Sequence, residues 1–494
     1  MMIKTIRSRV DELSGTGKGR WIIVGSAIYL LVCLIFFYSF IYNDIIETMR
    51  MGIDVWYSLF DGKLNYFYAR RTPVDAIAYP KIVQGVYDFP IYIVFALWNF
   101  PLWIAENFFD VDVFRSPVCL MWGKTLLLVA SVLIAGALYR LCRTLEINEN
   151  NSLFAVFLFL TSNFFMSSII MMSAYDIVVL YFAILGINYY FKGNMKKFTL
   201  CFMCAIPLKF FALLIFIPLV LLREKRIWRI VVYLIESVLP ILVFRLFIPC
   251  RAVFEDPSSA AISLGNIFES TELSNLAFLY TVTYEWTTSL SRIYLSLGFW
   301  GALYLICYLY KPDSEEKIKK WGIYVCFLTF VNLFITCMTH PYWIMLLLPF
   351  IVIIMAKNSQ YIYANLVLET LMTWGMLLAQ IFKFPWCFGS AIVAGMFWPS
   401  LLGEMEEFTG YTVMNVLKRL GMEGAQGYLI GAGCTVFFGC IMLFAVLNFP
   451  KMKKELPIIN KGEAPAGWLM VMRMISGVAL ALVPIALYVV GLLL

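Results

Sequence analysis

Apolar residues in this chain come in long, uniform runs rather than in alternation, and the runs recur from Trp21 to the last residue. Crossing a hydrocarbon core of about 30 Å takes roughly 20 helical residues, so each run predicts a membrane span. Strands are disfavoured, because open strands leave backbone groups unpaired in lipid and a barrel would alternate apolar with polar positions. The pattern therefore predicts an all-α polytopic membrane protein of about eleven transmembrane helices. Composition agrees: 62% of 494 residues are hydrophobic and 14% charged, more apolar surface than a soluble core absorbs. The formal charge of +7 does not point to nucleic acid. It reflects Lys and Arg in short loops, where they set orientation.

Lys4, Arg7, Arg9, Lys18 and Arg20 place residues 1–20 in the cytoplasm. The run from Trp21 to Tyr42 is too long for the core of a cleaved leader and reads as the first span. Residues 43–116, mixed and Trp-bearing, follow as a first external loop with helices lying in the interface. Spans over 117–139, 152–172 and 176–191 come next, with basic clusters at Arg140 and Arg143 and at Lys192, Lys196 and Lys197 on the inner side. Residues 198–222 break the count, since both flanks are basic, Pro207 interrupts the run and Lys209 sits near its middle. They read as a re-entrant hairpin or sharply broken helix whose tip lies inside the protein.

Beyond it, spans over 227–249, 293–310, 321–338, 342–356 and 361–382 enclose a second external loop at 250–291. Residues 21–356 form one membrane module and residues 357–494 a second, which carries an external interfacial loop at 383–424. In that loop Glu404, Glu406 and Glu407 read as a solvated face. The last two runs leave the C-terminus outside, as in a multi-pass plasma-membrane protein. No internal repeat is evident.

Twelve Cys accompany one His. The Cys lie within apolar runs and read as small buried hydrophobes, the CxxC of Cys201 and Cys204 included. A charge deep in a span is expensive, so each asks for a partner or a task. Asp44 directly after the first span, Asp176 at the head of the fourth, His340 on an external turn and Lys209 in the hairpin stand out, and all but Lys209 fall at one face. A carboxylate at an apolar boundary suits a general base, and Lys or His can neutralise a phosphate. Each also has a plainer reading: a helix end beside Asn43, a first-turn acid, a turn residue before Pro341, and a snorkelling side chain. Arg245, in mid-span, can reach a lipid phosphate or an acid. Asp110 and Asp112 form a DxD, a weak signal for a divalent cation.

The arrangement resembles the GT-C superfamily, multi-span glycosyltransferases that use polyprenyl-phosphate sugar donors at the non-cytoplasmic face, and most of all its bacterial, mannosyltransferase-like branch. Five stretches carry the resemblance. "IYNDIIETMRMG" offers Asp44 as the family's catalytic Asp after the first span, with Asp54 as its rival. "SAYDIVVLYF" supplies Tyr175 and Asp176 where the family has Gln-x-Asp, so the Gln is absent. "YDFPIYIVFALWNFP" and "AIPLKFFALLIFIPLVLLREKR" resemble its Tyr-x-x-Pro and Lys-bearing segments. "THPYWIMLLLPF", with His340 and Tyr342, is similar to its His-Pro-x-Tyr stretch.

The resemblance implies transfer with inversion. Asp44 takes a proton from the acceptor hydroxyl, and Lys209 and His340, with Arg245 or Arg292, neutralise the departing polyprenyl phosphate, supported by Tyr175, Asp176 and Tyr342. No cofactor is required by this logic. The acceptor is a glycan, lipid or protein. Rival readings are a lipid-linked-glycan flippase or transporter, which predicts charges spread through the midplane, and a polysaccharide ligase or polymerase using a diphosphate lipid. A scaffolding membrane protein has no particular support.

Overall fold

The computed structural model describes residues 17–76, 79–248, 283–285, 292–337, 339–389, 411–450 and 467–493. Most of the described residues are helical. Six helices are long and apolar enough to cross a membrane, and up to nine spans result if each of three bent pairs counts as one. An all-α polytopic membrane protein is therefore what the chain forms. The second external loop expected at 250–291, apart from 283–285, and the acids Glu404, Glu406 and Glu407 lie outside the described residues.

The bent pairs build the part of the bundle that matters for function. Helix α1 (Gly17–Ser39) turns by 67° into α2 (Asn43–Phe60), so the expected first span continues into its loop rather than stopping there. A short antiparallel hairpin follows, β1 (Thr72–Ala76) paired with β2 (Tyr79–Val83), Thr72 facing Val83. The run pattern did not predict it. Then α3 (Phe89–Trp98) turns by 67° into α4 (Phe100–Phe109), at Asn99 and Pro101, where a proline in the first turn starts a new helix. The third bend, 42°, separates α6 (Glu149–Leu160) from residues 163–171, which end in a π-helical turn over Met166–Met171.

Between these lies α5 (Pro117–Thr144), followed after α6 by α7 (Asp176–Phe191). Sixteen residues of α7 rise about 24 Å, short of a full hydrocarbon core, so its first residue starts inside the bundle. The run 198–222 is two helices, α8 (Met195–Leu208) and α9 (Phe211–Arg223), broken at Lys209. Pro207 ends α8 by removing an amide donor, and Lys209 is extended at φ −160°, ψ 122°.

The remaining helices are α10 (Ile227–Phe247), α11 (Leu295–Leu309), α12 (Glu315–Thr336), α13 (Leu348–Lys357), α14 (Ile362–Lys383), α15 (Val413–Arg419), α16 (Ala425–Leu447) and α17 (Gly467–Leu493). Helices α14 and α16 approach backbone to backbone. A Cβ on Gly375 would stand 2.8 Å from the Gly433 carbonyl, and one on Gly433 2.5 Å from that of Gly375. Small residues at such a crossing replace the hydrophobic drive that lipid removes.

Candidate functional site

Three chain breaks deliver polar side chains to one place. Asp44 sits in the first turn of α2, where a carboxylate opposes the helix dipole. Its Oδ2 accepts from the Tyr342 hydroxyl at 2.7 Å and from the Tyr87 hydroxyl at 3.4 Å. Tyr342 comes from the turn before α13, and Tyr87 from the segment between β2 and α3. No hydrogen-bond partner is found for Asp44 Oδ1 among the described residues, and the side chain is half-buried.

Lys209 reaches the same place from the α8–α9 break. Its buried ammonium donates to the Tyr175 hydroxyl at 3.2 Å and lies 3.5 Å from Asp176 Oδ1. It also stands over three rings, Tyr87 at 4.9 Å, Tyr175 at 5.0 Å and Trp343 at 5.5 Å. Such a cage favours a cation while hiding it from lipid. Asp176, fully buried at the head of α7, makes no hydrogen bond from either oxygen among the described residues. Tyr87 joins the halves, with its hydroxyl at Asp44, its ring under Lys209 and its edge 5.2 Å from the Tyr175 ring.

His340 closes the open side. It is exposed, stacked on Tyr342 with ring centroids 5.4 Å apart, and edge-on to Trp343 at 5.0 Å. The apolar walls around it lower its pKa below the ordinary value, an effect partly opposed by Asp44. It is therefore neutral at neutral pH.

Asp44, Tyr175, Asp176, Lys209, His340 and Tyr342 are thus brought together, while Asp54 and Arg245 are engaged by other partners. Asp54, about 15 Å further along α2, is saturated. Its Oδ1 accepts from Arg50 Nε at 3.1 Å and Nη2 at 2.7 Å, and its Oδ2 from Thr72 at 2.6 Å. Arg50 in turn donates to both oxygens of Glu106. Arg245 is held by both oxygens of Asp88, at 2.7 and 2.8 Å. That pair anchors the residue next to Tyr87. Arg292 lies in the two-stranded pair of Thr283–Glu285 with Arg292–Tyr294, opposite Glu285, and its side chain is outside the described residues.

No family model and no curated protein matches the sequence.

Asp110 closes α4 in the left-handed region at φ 53°, and Asp112 Oδ1 accepts from the backbone amides of Phe114 and Arg115, each at 3.1 Å. That is the work of a turn. Among the described residues no three His, Cys, Asp or Glu side chains gather as a metal site.

Tyr87, Trp343 and Tyr42 belong to the neighbourhood but were not singled out from the sequence. Tyr42 lies 6.0 Å from the Tyr342 ring and 3.5 Å, hydroxyl to sulfur, from Cys387. Tyr87 opens the quoted Tyr-x-x-Pro stretch, which was the available signal. With 28 Tyr and 14 Trp in the chain, aromatic identity alone selects nothing. Five buried charges were also passed over, Arg50, Asp88, Lys124, Glu369 and Arg473.

Proposed function

We propose that this chain is an inverting glycosyltransferase of the GT-C kind, moving a sugar from a polyprenyl-phosphate donor to an acceptor hydroxyl at the outer face of the membrane. One observation carries the reading. An acid with one oxygen held by two tyrosine hydroxyls and the other unengaged shares an aromatic wall with a buried, under-bonded ammonium.

In this reading Tyr342 and Tyr87 orient Asp44 through Oδ2, and Oδ1 takes the proton of the acceptor hydroxyl. The acceptor oxygen bonds to the anomeric carbon as the bond from that carbon to the phosphate oxygen breaks on the opposite side. The phosphate leaves with the bonding pair. An ammonium has three donors, and Lys209 uses one on Tyr175, so two remain for phosphate oxygens. His340, neutral, can offer one further N–H at the rim. Saturated Asp54 is a poor base here, and Arg245 a poor phosphate ligand.

The topology proposed with this function is about eleven spans, with the α8–α9 pair as a re-entrant hairpin, the N-terminus cytoplasmic, the C-terminus external and the cluster opening outward. The chain is assigned to a plasma membrane. A transporter uses charges that can change partners. Among the described residues, the buried charges outside the cluster are locked in pairs or on carbonyls, which favours the enzyme.

Purified protein incubated with short polyprenyl-phosphate sugars and an acceptor extract tests the reading, wild type beside Asp44→Asn. Transfer by wild type and its loss in the variant is the expected result. Equal transfer by both removes Asp44 from the mechanism, and no transfer from any donor overturns the enzymatic reading.

A further inference from the structure

Lys124 is the eighth residue of the 28-residue α5 and is fully buried. Its Nζ donates to the backbone carbonyls of Phe37, of Phe40 at 2.5 Å and of Ile170 at 3.2 Å, and sits 4.4 Å from the Phe37 ring centre. Among the described residues no acid pairs with it. A buried ammonium without a carboxylate is costly unless other negative charge surrounds it. Here that charge comes from two helix ends.

Phe37 is in the last turn of α1, and Ile170 is in the last turn of the π-helical stretch Met166–Met171. The final carbonyls of a helix have no amide partner within it and carry the negative end of its dipole. One lysine therefore caps two broken helices at once. The segments that leave those ends carry the two halves of the site: Asp44 follows the α1 end, and Tyr175 and Asp176 follow the other.

The rest of this stretch of α5 grips the same elbow. A Cβ on Gly123 would fall 2.2 Å from the Met49 methyl, so a larger residue there would push the Met49 side chain aside. Thr125 is 3.2 Å from the Tyr38 hydroxyl, and the Trp122 and Trp98 indoles each donate to the other's carbonyl, at 3.1 and 3.0 Å.

We infer that Lys124 is a positioning residue for the site, its ammonium fixing Asp44 against Tyr175 and Asp176 by capping both chain breaks. The cap itself does not depend on the proposed transferase activity; only the kinetic arm of its test does. Lys124→Met keeps the length and removes the donors, whereas Lys124→Gln keeps a donor without charge.

Amide hydrogen exchange on the purified full chain reads the cap directly. In Lys124→Met, exchange should quicken by at least about tenfold, the scale of one charge-assisted hydrogen bond, in peptides covering 37–44 and 166–176 together. Peptides of 425–447 should not change. In transfer assays kcat should fall by a similar factor while the donor KM stays within about twofold, and Lys124→Gln should lie between wild type and Met on both measures. Unchanged exchange at either break, uniform acceleration along the chain, or a KM rise at constant kcat overturns the proposal. If Lys124→Met does not fold, Lys124→Gln decides it on the same two peptides. If wild type transfers no sugar, the transferase reading falls and the exchange result still judges the cap.

Discussion

Two groups of oppositely charged side chains in this bundle differ in how completely their hydrogen bonds are made. In one, Arg473 of α17 meets Glu369 of α14 through two bonds of 2.9 Å, and its remaining donors go to the Thr161 hydroxyl and the Leu158 carbonyl, while Ser162 donates to Glu369. In the other, Lys209 makes one hydrogen bond, Asp176 none, and Asp44 leaves an oxygen open, counted among the described residues. A saturated pair has nothing left to offer a ligand. It ties the last helix to the α6 bend and specifies the packing. The unsaturated cluster holds polar atoms at a price that stability alone does not explain, which is why we place chemistry there.

Experiments that break one cluster should leave the other's readout alone. The largest effect is expected from Asp44→Asn, a loss of transfer of roughly 10²- to 10⁴-fold, the range of a removed general base. Its thermal midpoint should stay near wild type, since an amide oxygen can still accept from Tyr342. A midpoint that collapses with activity would make Asp44 a structural residue.

Arg473→Met comes next, with about 3–5 kcal/mol of stability lost, because Glu369 remains as an uncompensated buried charge. Thermal unfolding in detergent measures this. The paired change Glu369→Leu with Arg473→Met should recover most of it. If the single variant unfolds like wild type, saturation is not what marks a structural cluster.

Lys209→Met is expected to weaken donor binding by about 10- to 100-fold, the range for hydrogen bonds to a charged group. Titration with polyprenyl-phosphate sugar checks it. Unaltered affinity would remove Lys209 from the donor site.

The smallest effect concerns His340. Its pKa is lowered in the folded protein, so the native state holds fewer protons than the unfolded chain once the pH drops below the ordinary value of about 6.5. The stability its neutral ring contributes is present above that pH and is lost as pH falls through the folded pKa. Wild type should therefore lose thermal midpoint on acidification more steeply than His340→Gln. Parallel pH profiles would deny His340 its apolar surroundings.

Much of the candidate site was legible from sequence because its members sit where runs end. Asp44, Asp176 and His340 flank apolar stretches, and Lys209 interrupts one beside Pro207. Hydropathy marks such positions. It could not tell Asp44 from Asp54, ten residues apart on one helix, because what separates them is Arg50, Thr72 and Arg70 gathering on Asp54. Arg245 was left between a phosphate and an acid for the same reason, since Asp88, the acid it meets, lies 157 residues away in the chain. Lys124 was missed because a single lysine in a long apolar helix resembles a snorkelling one, and its partners are backbone carbonyls that no side-chain motif encodes.

Residue order alone determined that this chain is helical and lives in a membrane, because transfer of apolar side chains into lipid is a local, additive quantity. Backbone satisfaction in lipid then leaves the helix as the element. Tertiary structure alone decided which charges are spent and which remain open. Tyr342 and Asp44 are 298 residues apart, and Arg473 and Glu369 are 104 apart. Whether a buried oxygen finds a donor depends on which helices cross and where they break, and neither is a property of any single stretch of sequence.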